Sequence, residues 1–328
     1  MKILVTRQIP GDHLNKLKDA GHELIISDFD RPLTAEELVE KIKGVDAVLS
    51  LLNDKIDGDV MDAGGPQLKI ISNYAVGFDN IDLKAAGDRG IIVTNTPCEE
   101  VNVAVAEHTM ALLLNLARRI TEADKAVREG AYKGWEPNIF LGSNINGKTL
   151  GIVGMGRIGS MVAKYAKGLG MSILYNKREP DPKLEEELGV KFASLDELLA
   201  NSDFVSIHVP LTEETRHMIN KDSLAKFKKG SFLINTARGP IVNEDDLIES
   251  LRSGQLGGAG LEVFDNEPNL NPEIIGLSSV VLTPHIASAT WQAREKMGEL
   301  AVNSILDFND NKMPVNIANP DSWEKRRK

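Results

Sequence analysis

The sequence predicts an α/β chain of two domains, each a doubly wound parallel sheet, joined by long helices and with a cleft between them. Three observations carry this. Short apolar runs rich in β-branched residues alternate with stretches of helical periodicity. The runs fall into a set of five and a set of seven. A long helical segment separates the sets. At 328 residues the chain is too long for one ordinary domain and comfortable for two.

The first set of strand-like runs covers 3–6, 24–27, 47–52, 69–73 and 91–94. Between the second and third lies a predicted helix over 34–43, with Thr34 as N-cap and Glu37 completing a capping box. The second set covers 149–153, 172–176, 190–192, 204–209, 231–235, 259–264 and 280–282. Strands alternating with helices imply right-handed crossovers. Near-continuous apolar runs fit strands covered on both faces. Twelve strands are too many for one sheet of usual size, so two sheets are expected. Helical periodicity runs unbroken over 99–120, with Val101, Val105, His108, Leu112, Leu116 and Ile120 in phase, and again over 289–308. These two helices are the expected struts.

Composition narrows the function classes. The hydrophobic fraction of 42% and charged fraction of 26% suit an ordinary globular protein with a sizeable core. A net charge of −10 argues against nucleic acid as a partner. The one basic cluster, 324–328, reads as a solvated tail. A single cysteine, Cys98, permits no intrachain disulfide and reads as a small buried filler. The chain opens on a strand rather than a leader, and its longest apolar stretch, 111–117, is too short to span a bilayer. A cytoplasmic protein with no membrane partner is expected.

Gly154, Gly156 and Gly159 form a G-x-G-x-x-G pattern that also includes Met155, Arg157 and Ile158. Glycines in a tight turn are common, so the pattern alone is weak. Here a strand precedes it, a helix over 158–168 follows, and another strand arrives at 173–176. That is the Rossmann-like βαβ setting in which the loop and helix N-terminus cradle a dinucleotide pyrophosphate. An acidic residue at the end of the second strand would hold a ribose 2′-hydroxyl and repel a 2′-phosphate. The chain has neutral Asn176 there, followed by Lys177 and Arg178. Either cation could be an ordinary surface charge, but together they favour NADP(H), with NAD(H) as the second choice.

Ligands of open α/β sheets bind beyond the carboxyl ends of the strands. The exits of the last three strands carry Thr236-Ala237-Arg238, Asp265-Asn266-Glu267 and Thr283-Pro284-His285. Singly, these could be a surface ion pair, a turn residue before proline, and a satisfied cap or core histidine. Together they make chemical sense. Arg238 can hold the carboxylate of a 2-oxo acid in a bidentate fork. His285 can protonate the carbonyl oxygen while hydride reaches the carbon. Glu267 can orient that ring and stabilise the imidazolium. Arginine and imidazolium suffice to stabilise the developing alkoxide, so no metal is expected. Thr236 and Ala237 are expected to line the cofactor site. His208, at another exit just before Val209-Pro210, is the competing histidine. It ranks second, as a cofactor-pocket residue with Pro210. His13, His22, His108 and His217 lack such positions and read as structural or solvated.

With these motifs in order along nearly the whole chain, the sequence resembles the D-2-hydroxyacid dehydrogenase family. The residues carrying the resemblance are Gly154–Gly159, Asn235–Gly239, Gly260–Phe264 with Glu267-Pro268, and Thr283–Ser288. It implies that Arg238, Glu267 and His285 are the catalytic set. It also implies a substrate-binding domain of 1–98 plus 288–328, flavodoxin-like, and a dinucleotide-binding domain of 99–287. Within the family the chain is most similar to the glyoxylate/hydroxypyruvate reductase branch, through 51–57, 73–82 and 135–137. That branch reduces glyoxylate and hydroxypyruvate to glycolate and D-glycerate. It implies substrate contacts from Leu52, Val76 and Gly77, and a homodimer in which Trp135 reaches the partner's active site. Glu262 stands where the family usually has aspartate, as partner of the nicotinamide carboxamide. Two other readings compete. One is a sibling dehydrogenase for another acid such as phosphoglycerate, for which Leu51–Gly58 offers only Lys55 as a phosphate partner. The other is a non-enzymatic, dinucleotide-sensing scaffold of the corepressor kind, against which the intact Arg238, Glu267 and His285 set argues.

Overall fold

A computed structural model describes residues 1–327. The chain forms two compact units, Met1–Val101 with the segment from Ala289 on, and Asn102–Ser288.

The first unit contains β1 (Lys2–Val5), α1 (His13–Asp19), β2 (Glu23–Ile26), α2 (Ala35–Lys41), β3 (Ala47–Leu51), α3 (Gly58–Gly64), β4 (Ile70–Tyr74), α4 (Leu83–Asp88) and β5 (Ile92–Thr94). Its five strands are all parallel, in the order β2-β1-β3-β4-β5. Leu4, Val48, Ile71 and Val93 face α2, α3 and α4 across a fully buried layer that includes Leu38, Ile42 and Met61. The capping box expected of α2 is present: the Thr34 hydroxyl accepts the Glu37 amide, and the Glu37 carboxylate accepts the Thr34 amide at 2.9 Å.

The connecting helix α5 (Glu99–Arg118) leads to α6 (Ile120–Arg128). The single helix expected over 99–120 is therefore interrupted near its end. The break comes at Arg119, whose φ of 54° is left-handed. Its guanidinium is held by Glu122, Nη2 to Oε1 at 2.6 Å. No residue of α6 is buried.

The second unit continues with β6 (Thr149–Val153), α7 (Arg157–Gly168), β7 (Ser172–Asn176), α8 (Pro182–Leu188), β8 (Lys191–Phe192), α9 (Leu195–Asn201), β9 (Phe204–Ile207), α10 (Lys221–Leu224), β10 (Ser231–Asn235), α11 (Glu244–Arg252), β11 (Leu256–Leu261), α12 (Pro272–Ile275) and β12 (Val280–Leu282). These seven parallel strands run in the order β12-β11-β10-β9-β6-β7-β8. Order reverses between β6 and β9, which makes that edge the topological switch point where ligands bind. Two apolar layers cover the sheet. One holds Val205, Leu233, Leu247 and Ile274, and the other Ile152, Val162, Leu113 and Tyr175. The chain returns to the first unit ahead of α13 (Trp291–Asn309), which packs on β4 and α1.

Two further expectations are corrected. Strand β11 begins three residues earlier than predicted and ends at Leu261, so Glu262 to Phe264 lie beyond it. Gly257 and Gly258 hid its start, because glycine carries no strand signal. They are glycines because a Cβ would meet the Gly230 carbonyl at 2.6 Å and the Ser279 carbonyl at 2.5 Å. The basic C-terminus is also more than a solvated tail. Arg327 Nη1 donates to the Gly65 and Leu68 carbonyls at 2.7 and 2.9 Å, and the Arg326 guanidinium lies 3.7 Å over the Trp323 ring. Lys328 lies outside the described residues. Among those residues no helix is long and apolar enough to cross a membrane.

Candidate active site

The glycine loop joins β6 to α7. Gly154 has φ +101°, and a Cβ there would meet the His208 carbonyl carbon at 2.6 Å. A Cβ on Gly159 would strike the Gly154 carbonyl oxygen, so this glycine lets α7 sit close against the turn. Gly156 is different, because a Cβ there would meet nothing within 4 Å. It opens on empty space at the N-terminus of α7, where no side chain caps the first amides. Those amides and the positive helix end are what a pyrophosphate requires. The loop therefore fits a dinucleotide on its own geometry.

Where β7 ends, the Asn176 amide donates to the Ala193 carbonyl at 3.0 Å. Lys177 Nζ is 3.1 Å from Asp181, the N-cap of α8. The Arg178 side chain is 92% exposed, with Glu214 at 3.8 Å. Arg178 is thus the more available of the two cations, since an exposed pair at that distance is weak.

The exits of β10, β11 and β12 carry the proposed chemistry. After β10, the Asn235 side chain accepts the Ala237 amide and donates to the Arg238 carbonyl, at 3.0 and 2.9 Å. This local turn presents the Arg238 guanidinium, whose Nη1 donates to the Ala237 carbonyl at 2.8 Å. The next residue, Gly239, leaves no room for a Cβ against Phe264, so the Arg238 turn and the Phe264–Glu267 segment are in contact. His285 Nδ1 lies 2.8 Å from Glu267 Oε2, and the pair's side chains are 27% and 22% exposed. Glu267 thus engages Nδ1, one of the ring's two nitrogens. His285 has a φ of 55°, left-handed for a non-glycine residue.

Glu262, expected as the partner of the nicotinamide carboxamide, is bonded within the protein. Its side chain is fully buried. Oε1 accepts the Ala287 amide, and Oε2 accepts the Thr283 hydroxyl and lies 3.2 Å from His108 Nε2. Each carboxylate oxygen thus has a partner within the protein. Burial alone would push this carboxyl up, but hydrogen bonds from His108, Thr283 and Ala287 outweigh it and hold it below the usual carboxylate range. His108, read from sequence as structural or solvated, is thus part of the site's framework. The same helix bonds a second exit, Thr109 Oγ1 to Thr236 Oγ1 at 2.9 Å.

His208, the competing histidine, bonds Ser206 through Nε2 at 2.8 Å. Burial pushes its pKa down to about 4, so the ring is neutral near pH 7 and is a poor acid there. Among the described residues no group of His, Cys, Asp and Glu side chains could hold a metal ion.

In the first unit, the two loops named for substrate contact are tied to each other. Asn80 Nδ2 donates to the Leu51 and Asp54 carbonyls at 3.1 and 2.9 Å. Asn73 Nδ2 donates to the Gly77 carbonyl and to Asn80 Oδ1, each at 3.0 Å. Asn95 Nδ2 holds the Val76 carbonyl at 2.6 Å. Asp54 is buried and accepts the Leu51 amide at 2.7 Å and the Thr6 hydroxyl at 2.5 Å. Leu52, Val76 and Gly77 therefore sit on backbone fixed by side-chain amides. Polar residues inside an otherwise apolar strand pattern, Ser50, Ser72 and Asn73, were the available signal for this framework.

Residues 110–287 match the model of the D-isomer specific 2-hydroxyacid dehydrogenase, NAD binding domain. The chain is 45% identical to a glyoxylate reductase of Thermococcus onnurineus across 99% of this chain and 98% of that one. A protein from Thermus thermophilus superposes with a TM-score of 0.90 at 43% identity, covering 97% of this chain and 100% of that one. An NADPH-dependent glyoxylate/hydroxypyruvate reductase from Sinorhizobium meliloti, solved with NADP and malonate, gives a TM-score of 0.84 at 31% identity, covering 100% and 98%.

Proposed function

The chain belongs to the D-isomer specific 2-hydroxyacid dehydrogenase family, and on that premise we propose that it reduces glyoxylate and hydroxypyruvate to glycolate and D-glycerate. The observation that carries this reading is the Glu267–His285 pair, 2.8 Å apart on the strand-exit edge that also holds Arg238 and the glycine loop. Arg238 grips the substrate carboxylate in a planar fork. Glu267 fixes the His285 ring through Nδ1, so that Nε2 delivers a proton to the carbonyl oxygen. The bound nicotinamide supplies the hydride that reaches the carbonyl carbon. One hydride and one proton convert the oxo group to a hydroxyl, and Arg238 with the imidazolium stabilises the alkoxide as it forms.

The finer parts of the reading have separate support. NADP(H) is preferred over NAD(H), because β7 ends on neutral Asn176 and is followed by Lys177 and the exposed Arg178. Residues Gly154 to Gly159 hold the pyrophosphate, and Asn176, His208, Pro210, Thr236 and Ala237 line the rest of the dinucleotide site. The second unit is the dinucleotide-binding domain and the first the substrate domain, with Leu52, Val76 and Gly77 as substrate contacts. The working form is a homodimer. Ile120, Val127, Tyr132, Trp135 and Leu141 are 54%, 58%, 64%, 85% and 65% exposed, an apolar arm that a second copy would cover, with Trp135 reaching the partner's site. A buried lone Cys98 suits a reducing, cytoplasmic setting.

The test is a set of initial rates with glyoxylate, hydroxypyruvate, pyruvate and phosphohydroxypyruvate, each with NADH and NADPH, for the parent and His285→Ala. The expected result is turnover of the first two acids, fastest with NADPH, and a loss of about 10²–10⁴-fold in the variant. No turnover of any 2-oxo acid by the parent, or an unimpaired His285→Ala, overturns the reading.

A further inference from the structure

We propose that Glu262 is a positioning residue: its buried carboxylate straps the loop carrying His285 to the sheet edge and to α5, and thereby sets where the imidazole stands. The inference rests on the reading of His285 as the proton donor.

The loop begins where β12 ends. The Thr283 amide continues the ladder to the Leu261 carbonyl at 3.0 Å. At Pro284 the chain turns, and the His285 amide donates both to the Thr283 carbonyl and to the Glu262 carbonyl, each at 3.1 Å. The Glu262 side chain takes the residues on either side: the Thr283 hydroxyl on one oxygen and the Ala287 amide on the other. Thr283, His285 and Ala287, alternate residues of one short loop, are all bonded to Glu262.

A left-handed φ of 55° at His285 needs such restraint. Sparsely populated backbone conformations persist only where the surroundings over-determine them, and they cluster at functional sites. Glu262 supplies restraints two residues before the strained residue, at it, and two residues after it.

The strap has an anchor on its far side. Gly260 has no side chain, and a Cβ there would lie 3.2 Å from Leu112 Cβ and from Leu116 Cδ1, so α5 rests directly on β11. One turn before Leu112, His108 meets Glu262 Oε2 at 3.2 Å and Thr283 Oγ1 at 3.0 Å. Carboxylate, hydroxyl and imidazole form a closed triangle beneath the loop. A buried carboxylate is tolerated only when its oxygens are bonded, and here its partners are the loop and the helix.

The experiment compares Glu262→Gln, Thr283→Val and Thr283→Ser with the parent. Amide hydrogen exchange over 283–288, measured without substrate or cofactor, reads the strap directly. Glyoxylate turnover and NADPH dissociation constants read its consequence. Glu262→Gln should speed exchange at His285 and Ala287 about tenfold or more, the effect of a lost charged hydrogen bond. It should lower kcat about 10–100-fold, the scale of a small misplacement of a reacting group, with KM and NADPH affinity within about threefold. Thr283→Val, which leaves the carboxylate in place, should move both readouts the same way by less, and Thr283→Ser should restore them. Unchanged exchange in both Glu262→Gln and Thr283→Val overturns the proposal, as does faster exchange with unchanged kcat. Weakened NADPH binding without faster exchange overturns it in favour of a direct cofactor contact by Glu262. If the parent turns over no 2-oxo acid, the functional reading fails while exchange still decides whether the strap exists.

Discussion

Glu267 binds in two directions at once: Oε2 lies 2.8 Å from His285 Nδ1, and Oε1 accepts the Phe264 amide at 2.9 Å. The backbone bond fixes the carboxylate, and the fixed carboxylate orients the ring. Glu267→Gln keeps the shape and the bond to Phe264 but turns an amide donor toward Nδ1. The ring then loses both its counter-charge and its preferred tautomer. Reductive kcat should fall about 10²-fold or more, with NADPH binding within about twofold. A variant with near-parental kcat would show that the pair does not serve the chemistry.

Arg238 follows the Asn235 turn, and its guanidinium plane is what suits it to a carboxylate. Arg238→Lys keeps the charge and loses the fork. kcat/KM for glyoxylate should drop about 10–100-fold, the value of one bidentate charged contact. The glycine loop is untouched, so the dissociation constant for NADPH should change by less. Normal kinetics in this variant would remove Arg238 from substrate binding.

Much of the fold was legible because buried parallel strands leave continuous apolar runs, and all twelve appear in the two sheets. The Arg238, Glu267 and His285 exits were legible because each follows such a run. What was not legible depends on contacts between segments far apart in sequence. Nothing next to His108 marks it as a partner of Glu262, 154 positions later. The start of β11 was hidden because Gly257 and Gly258 answer to neighbouring carbonyls rather than to strand propensity. The basic tail read as solvated because charge pattern carries no information on the Gly65 and Leu68 carbonyls that await Arg327.

Arg178 is the exposed cation after β7, with Glu214 only loosely paired at 3.8 Å. A 2′-phosphate would displace that contact readily. Arg178→Ala should weaken NADPH binding about ten- to a hundredfold and leave NADH nearly unchanged. Equal losses for the two cofactors would end the claim of NADP preference.

Arg327 donates to two main-chain carbonyls of the first unit, Gly65 and Leu68. Arg327→Ala leaves both acceptors short of a partner. The first unit should lose about 1–3 kcal/mol of stability, read as a lower urea midpoint, while kcat of the folded protein stays at the parental level. An unshifted midpoint would return the tail to the role of a solvated extension.

His208 provides a test that separates the two candidate histidines by pH. Burial lowers its pKa from 6.5 to about 4. Between those values the unfolded chain holds a proton on this ring and the folded chain does not. Proton binding is then greater in the unfolded state, so stability rises with pH through that window and is level above it. The folded state's loss at the acid end is on the order of 3 kcal/mol, from about 1.4 kcal/mol per pKa unit. His208→Gln removes the titration. The parent's stability relative to the variant should therefore shrink as pH falls from 6.5 toward 4, and hold constant from 6.5 to 8. Urea unfolding of both proteins across that range makes the measurement. Turnover offers the second arm. A ring that is neutral throughout the neutral range gives no ionisation to the rate profile, so His208→Gln should preserve the shape of the pH–rate curve above pH 6 even if it lowers its height. If the stability difference is flat with pH while the ionisation disappears from the rate profile, His208 is the titrating acid and His285 has been given its role in error.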